Sequence, residues 1–173
     1  MRARHPLPRL WLMTDERLGD RLLAAIERLP RGAGIVFRHY GLPEAERRAL
    51  FERVKAVARR RRLTLLLAGP AVQARLWGAD GSHGSGRGGG LRSAPAHNLH
   101  EIRAAERAGA TLLFLSPVHP TRSHPDARPL GPARFTLLAR RTRLPVIALG
   151  GMDAGRAAKL RGAYGWGGID AWA

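Results

Sequence analysis

Few side chains in this sequence are equipped for chemistry, and they crowd toward a handful of apolar runs. The clearest case is Leu144 to Arg156, LPVIALGGMDAGR, where a short buried-type run meets Gly150 and Gly151 and then a helix start capped by Asp153. Paired glycines let the backbone approach a neighbour closely, and unpaired N–H groups at such a turn suit a phosphate. The residues alone also allow an ordinary strand-to-helix turn. A second concentration is SPVHPTRSHPDARPLG, residues 116 to 131, which carries His119, Arg122, His124 and Arg128. The arginines could close over an anion. The two histidines lack carboxylate or cysteine companions at ligand spacing, so no zinc site is expected. A third is Arg38-His39-Tyr40, at the exit of the apolar run GIVF.

These groups need strands that end at a common rim. Apolar runs at Leu10 to Met13, Gly34 to Phe37, Thr64 to Leu67, Leu91 to Ala96, Thr111 to Leu115 and Leu144 to Leu149 read as strands, with weaker ones within residues 78 to 83 and at Gly167 to Asp170. Helical spacing separates them: Leu22, Ile26 and Leu29; Leu50, Val54 and Val57; Leu99, Ile102 and Ala105, the last opened by the capping pair Asn98 and Glu101. Eight strands alternating with helices predict an α/β fold, a closed parallel (β/α)₈ barrel, against a doubly wound open sheet as competitor. Such barrels usually need about 250 residues, and this chain has 173. A short version lacking the last helix is therefore expected, its seat covered by a second copy in a homodimer or by the N-terminal arm. Residues 1 to 8 read as a basic arm and 9 to 173 as one barrel domain. Asp80 reads as a turn former at the opposite face, His97 as a hydrogen-bonded structural histidine, and Gly84 to Gly90 as a flexible loop.

The net charge is +17 with no cysteine, which excludes disulfides and thiolate catalysis. The charge is almost all arginine, Lys55 and Lys159 being the only lysines, spread without aromatic interleaving. Salt-sensitive sticking to polyanions is expected, and a dedicated nucleic-acid function is not. No apolar run approaches a membrane span and no signal core follows the first residues, so a cytoplasmic protein with no membrane partner is expected.

In order along the chain, LWLMTDERL, IVFR, GADGSHG, APAHNLHEI, LFLSPVHPT, PVIALGG and GGIDAW resemble the thiamine phosphate synthase and TenI family. The resemblance covers nearly the whole length. It implies a (β/α)₈ barrel with its site at the strand C-termini and a role in thiamine biosynthesis. Synthases of this family join an aminopyrimidine methyl pyrophosphate to a thiazole phosphate and release pyrophosphate, using Mg²⁺; these two phosphorylated heterocycles are the partners implied. By the same resemblance Gly150, Gly151, Thr121 and Ile169 match the thiazole-phosphate half of the site, with Asp170 where a serine is usual. Arg38 matches the pyrophosphate half, which is otherwise degraded. Tyr40 stands for a lysine, Ala68-Gly69 for an asparagine-aspartate pair, Pro95 for a serine unless Ser93 is shifted into its place, and His124 for a lysine. The expected aspartate after the fourth strand falls in Arg87 to Gly90, where there is no carboxylate. No metal site can be assembled from matched residues; Mg²⁺ is implied only if ring joining is retained, with Asp15, Asp126 or Asp170 as replacement ligands.

The TenI branch instead isomerises a thiazole phosphate carboxylate with one histidine and no metal. Its histidine falls at Pro117 here, and an extended sixth strand would point His119, two residues on, to the same side. Three functions follow: a synthase-like transferase with Arg38 in the site, a tautomerase using His119, or a non-catalytic binder of phosphorylated thiazole or thiamine.

Overall fold

A computed structural model describes residues 6–84, 90–122 and 127–169. The elements run β1 (Leu10–Met13), a single 3₁₀ turn (Glu16–Leu18), α1 (Arg21–Arg28), β2 (Gly34–Phe37), α2 (Glu44–Arg61), β3 (Thr64–Ala68), α3 (Ala71–Trp77), β4 (Gly81–His83), β5 (Leu91–Ala96), α4 (Leu99–Arg107), β6 (Leu112–Leu115), α5 (Gly131–Ala139), β7 (Val146–Ala148), α6 (Ala154–Lys159) and β8 (Gly165–Gly168). All eight strands pair in parallel with their sequence neighbours, and β8 pairs with β1 to close the ring. The closed ring excludes the doubly wound sheet.

Strand alternation sorts the side chains. Leu12, Ile35, Leu65, Leu67, Leu113 and Leu115 are buried in the layer between sheet and helices. The other face of each strand fills the barrel. Trp11 dominates its lower interior, edge-on to Phe114 with ring centroids 5.3 Å apart. Gly34 makes room for it, because a Cβ there would lie 2.3 Å from the indole. Burying a side chain such as Phe114 stabilises the fold by about 2–3 kcal/mol.

The two ends of the chain differ from the sequence reading. The last strand begins at Gly165, not Gly167, because the Trp166 amide donates to the Arg9 carbonyl at 2.8 Å. Within the expected N-terminal arm, Leu7 and Pro8 are tied down: the Tyr164 hydroxyl donates to the Leu7 carbonyl at 2.8 Å and the Trp11 indole N–H to that of Pro8 at 2.9 Å. The sixth strand stops at Leu115, where the run TLLFL places its end, and does not extend toward His119. Residues 1–5, most of the Gly84 to Gly90 loop, His124, Asp126 and Asp170 lie outside the described residues. Among those described, no helix is long and apolar enough to cross a membrane.

Candidate functional site

The strand C-termini surround a cavity of about 620 Å³. Arg38, Thr121, Arg122, Gly150, Gly151 and Ile169 all line it, so the rims of β2, β6, β7 and β8 do converge. His119 does not line it, and Arg128 stays on the surface.

The β7 side is built around close backbone packing. Gly150 and Gly151 have φ of +90° and +58°, a region that strongly favours glycine. A Cβ on Gly151 would sit 2.7 Å from the Pro120 carbonyl oxygen. The neighbour that the glycines admit is thus the segment after β6. Val118 N–H donates to the Leu149 carbonyl at 2.8 Å and His119 N–H to that of Gly150 at 3.1 Å. The amides of Gly150 and Gly151 donate to no backbone carbonyl among the described residues. Asp153 closes the start of α6 by accepting from Arg156 N–H at 2.8 Å, as its capping role required. The N–H groups of Gly150 and Gly151, both cavity-lining residues, are left to an anion.

This packing also places His119. Pro117 has no N–H to continue a strand ladder, and the chain turns along the exit of β7 instead of extending β6. His119 lies against Gly151, its Cβ 3.0 Å from where a Cβ of that glycine would be. Burial, and then the nearby Arg156, hold its imidazole below the usual histidine range. The premise that carried His119 into the cavity, a longer sixth strand, is not met.

On the opposite side, Arg38 is fixed by the two residues that follow β1. Its Nε donates to the Thr14 carbonyl at 2.7 Å and its Nη2 to Asp15 Oδ2 at 2.9 Å. The Thr14 hydroxyl accepts from Arg38 N–H at 2.9 Å and bonds His39 Nδ1 at the same distance. His39 is buried, at φ +42°, and stacked on Phe37. Arg47, from α2, donates to the carbonyls of Arg38 and Ala68 at 2.9 and 2.7 Å. A buried guanidinium therefore seals the end of β3, where the resemblance leads one to look for an asparagine and an aspartate.

The sequence reading missed the floor. His83, on the inward face of β4, lines the cavity while only 7% exposed. Its Nδ1 lies 2.9 Å from the hydroxyl of Ser93, the inward residue of β5. Burial, with a smaller push from Arg38, lowers the imidazole to about 4, so it is neutral at physiological pH. The signal for it was the two-residue alternation Gly81, His83 and Ser93, Pro95. His97 also reaches the rim, with Nδ1 2.7 Å from Glu101 Oε2. The Asn98–Glu101 capping pair forms, with Asn98 accepting from Glu101 N–H at 3.0 Å, and Asp80 accepts from Leu65 N–H at 2.8 Å at the start of the strands.

The described lining holds Arg17, Arg38 and Arg122 but no carboxylate. Among the described residues no group of three or more histidines or carboxylates converges that could hold a metal. These residues do not fit a Mg²⁺ ion, which prefers oxygen ligands.

A parallel (β/α)₈ barrel with a basic, glycine-turned cavity at its strand C-termini is the class that fold and site define. The sequence profile described as thiamine monophosphate synthase matches residues 10–171, and the chain belongs to that family. It is similar to "Putative thiamine-phosphate synthase 2" of Aquifex aeolicus, 30% identical over 94% of this chain and 96% of that protein. It is also similar to the thiamine-phosphate synthase of Thiobacillus denitrificans, 31% identical over 82% of this chain and 74% of the relative. A thiamine phosphate pyrophosphorylase from Pyrococcus furiosus shares the fold, with a TM-score of 0.74 over 94% of this chain and 85% of that one at 20% identity.

Proposed function

We propose that this thiamine-biosynthesis family member binds a thiazole phosphate in the barrel-mouth cavity and isomerises a thiazole phosphate carboxylate without a metal. The observation that carries the reading is the make-up of one cavity. Gly150, Gly151, Thr121 and Ile169 meet Arg17, Arg38 and Arg122 around it, with no carboxylate in the described lining. Such a lining favours an anionic ligand by charge. It offers no described carboxylate to hold a Mg²⁺ ion against departing pyrophosphate.

The test is turnover of thiazole phosphate carboxylate by the purified protein in excess chelator, beside ring joining from aminopyrimidine methyl pyrophosphate and thiazole phosphate with Mg²⁺. Isomerisation in chelator is expected, together with a rise in melting temperature on adding thiazole phosphate. Ring joining with Mg²⁺ and no isomerisation would overturn the proposal in favour of a synthase. That second reading has the retained Arg38 and the names of the two similar proteins on its side. Stabilisation by ligand with no turnover in either assay would leave a binder.

A further inference from the structure

We propose that His83 is the catalytic residue of this reaction, its Nε2 carrying a proton between two positions of the bound heterocycle, and that Ser93 is its positioning residue. The inference rests on the metal-independent thiazole phosphate reading. It differs from the His119 assignment in placing the acid–base group on the cavity floor.

Location comes first. A proton carrier must reach the ligand within hydrogen-bond distance, and His83 lines the cavity from inside the barrel while His119 does not. Orientation comes second. The ring is held edge-on to Phe114, centroids 5.2 Å apart at 89°. Its Nδ1 is engaged by Ser93, which is 1% exposed. The Ser93 hydroxyl has one hydrogen, and the Ser82 carbonyl oxygen 3.5 Å away can only accept it. Ser93 Oγ is then the acceptor for Nδ1–H, and we assign the tautomer with a bare Nε2 on that basis. Nε2 makes no hydrogen bond among the described residues.

Competing groups in the described lining are less suited. The arginines present only donors and no atom that accepts a proton. His97 is about half exposed and its Nδ1 is bound to Glu101, which orients it as part of a helix cap. Burial keeps His83 neutral before a ligand arrives, and the negative charge of a bound phosphate and carboxylate favours the imidazolium that forms in transit.

The step balances on the heterocycle. Nε2 accepts a proton from a ring C–H, and the C–H electron pair moves into the conjugated double bonds. A second carbon at the far end of that conjugation gains the pair and takes the proton back from Nε2–H. His83 ends neutral, and nothing is oxidised, reduced or lost.

The experiment compares wild type, His83→Gln, Ser93→Ala and Ser93→Thr in two measurements: turnover of thiazole phosphate carboxylate in chelator, and the melting-temperature shift given by thiazole phosphate. His83→Gln is expected to lose about 100-fold or more in kcat while keeping the wild-type shift. Ser93→Ala is expected to lose about 10-fold in kcat with KM unchanged, restored in part by Ser93→Thr. Wild-type kcat in a His83→Gln protein that still shows the shift would overturn the proposal. Should His83→Gln fail to fold, undiminished kcat in Ser93→Ala would overturn the positioning role and the tautomer assigned with it. No turnover and no shift in the wild type would instead overturn the thiazole phosphate reading on which this one rests.

Discussion

A Cβ added to Gly150 would lie 2.6 Å from Cβ of Pro117. The turn after β7 and the segment after β6 are therefore packed backbone to backbone, with the latter pinned by Val118 and His119 N–H groups. Gly150→Ala combines an unfavourable positive φ with overpacking. It should destabilise the protein by about 2–4 kcal/mol, read as a lower urea midpoint at unchanged slope. Because both segments line the cavity, the stabilisation given by thiazole phosphate should fall in the same variant.

Stability should also depend on pH through the buried imidazoles. His83 falls to about 4 in the folded protein, against about 6.5 unfolded. Between those values the unfolded chain binds a proton that the native one does not, so stability is full above about pH 6.5 and is lost as pH falls toward 4. His39, also lowered first by burial, acts in the same direction. Unfolding free energies from urea titrations between pH 7.5 and 4.5 should decline, by about 2–3 kcal/mol for the His83 share. His83→Gln should flatten most of the decline. An unchanged slope in that variant would show that His83 titrates normally.

The barrel was legible because its signal is repetitive. Runs such as Thr111 to Leu115 and Leu144 to Leu149, separated by helical spacing, admit few other arrangements. The convergence of Arg38, Thr121, Gly150 and Ile169 followed from that topology, since parallel strands put their C-terminal ends on one rim. His83 was hidden because the weak strand read within residues 78 to 83 carries no register of its own, and its inward direction depends on β4 starting at Gly81 in register with Leu91. His119 was misdirected for the converse reason. Its side depended on how far β6 runs, and the proline at 117 removes the N–H that a longer ladder would use. The docking of Leu7 to Tyr164 joins residues 157 positions apart in sequence, a distance at which local patterns carry no information.

Arg47 links helix to rim. It is 9% exposed, donates to the Arg38 and Ala68 carbonyls, and its guanidinium lies within 6 Å of the Phe37, Tyr40 and Trp77 ring centroids. Arg47→Met keeps most of the side-chain volume but leaves two carbonyls without their donor. A loss of about 2–4 kcal/mol is expected, with a weaker thiazole phosphate response because Arg38 loses a backbone anchor. Thermal melts with and without that ligand measure both effects.

His119→Ala separates the two histidine assignments. The side chain lies beside Gly151 and outside the described cavity lining, with Arg156 and Asp153 as its charged neighbours. Removing it takes no group away from a ligand in the cavity, so kcat for thiazole phosphate carboxylate in chelator should stay within about 2-fold of wild type, against the 10²-fold or greater change expected when a proton carrier is removed. A small loss of stability is expected from packing against the glycine turn, and a melt distinguishes it from a loss of turnover. If His119→Ala abolished turnover at full stability and with the ligand-induced shift intact, the segment after β6 would have to move during the reaction, carrying His119 over the rim, and acid–base chemistry would pass from the cavity floor to that segment.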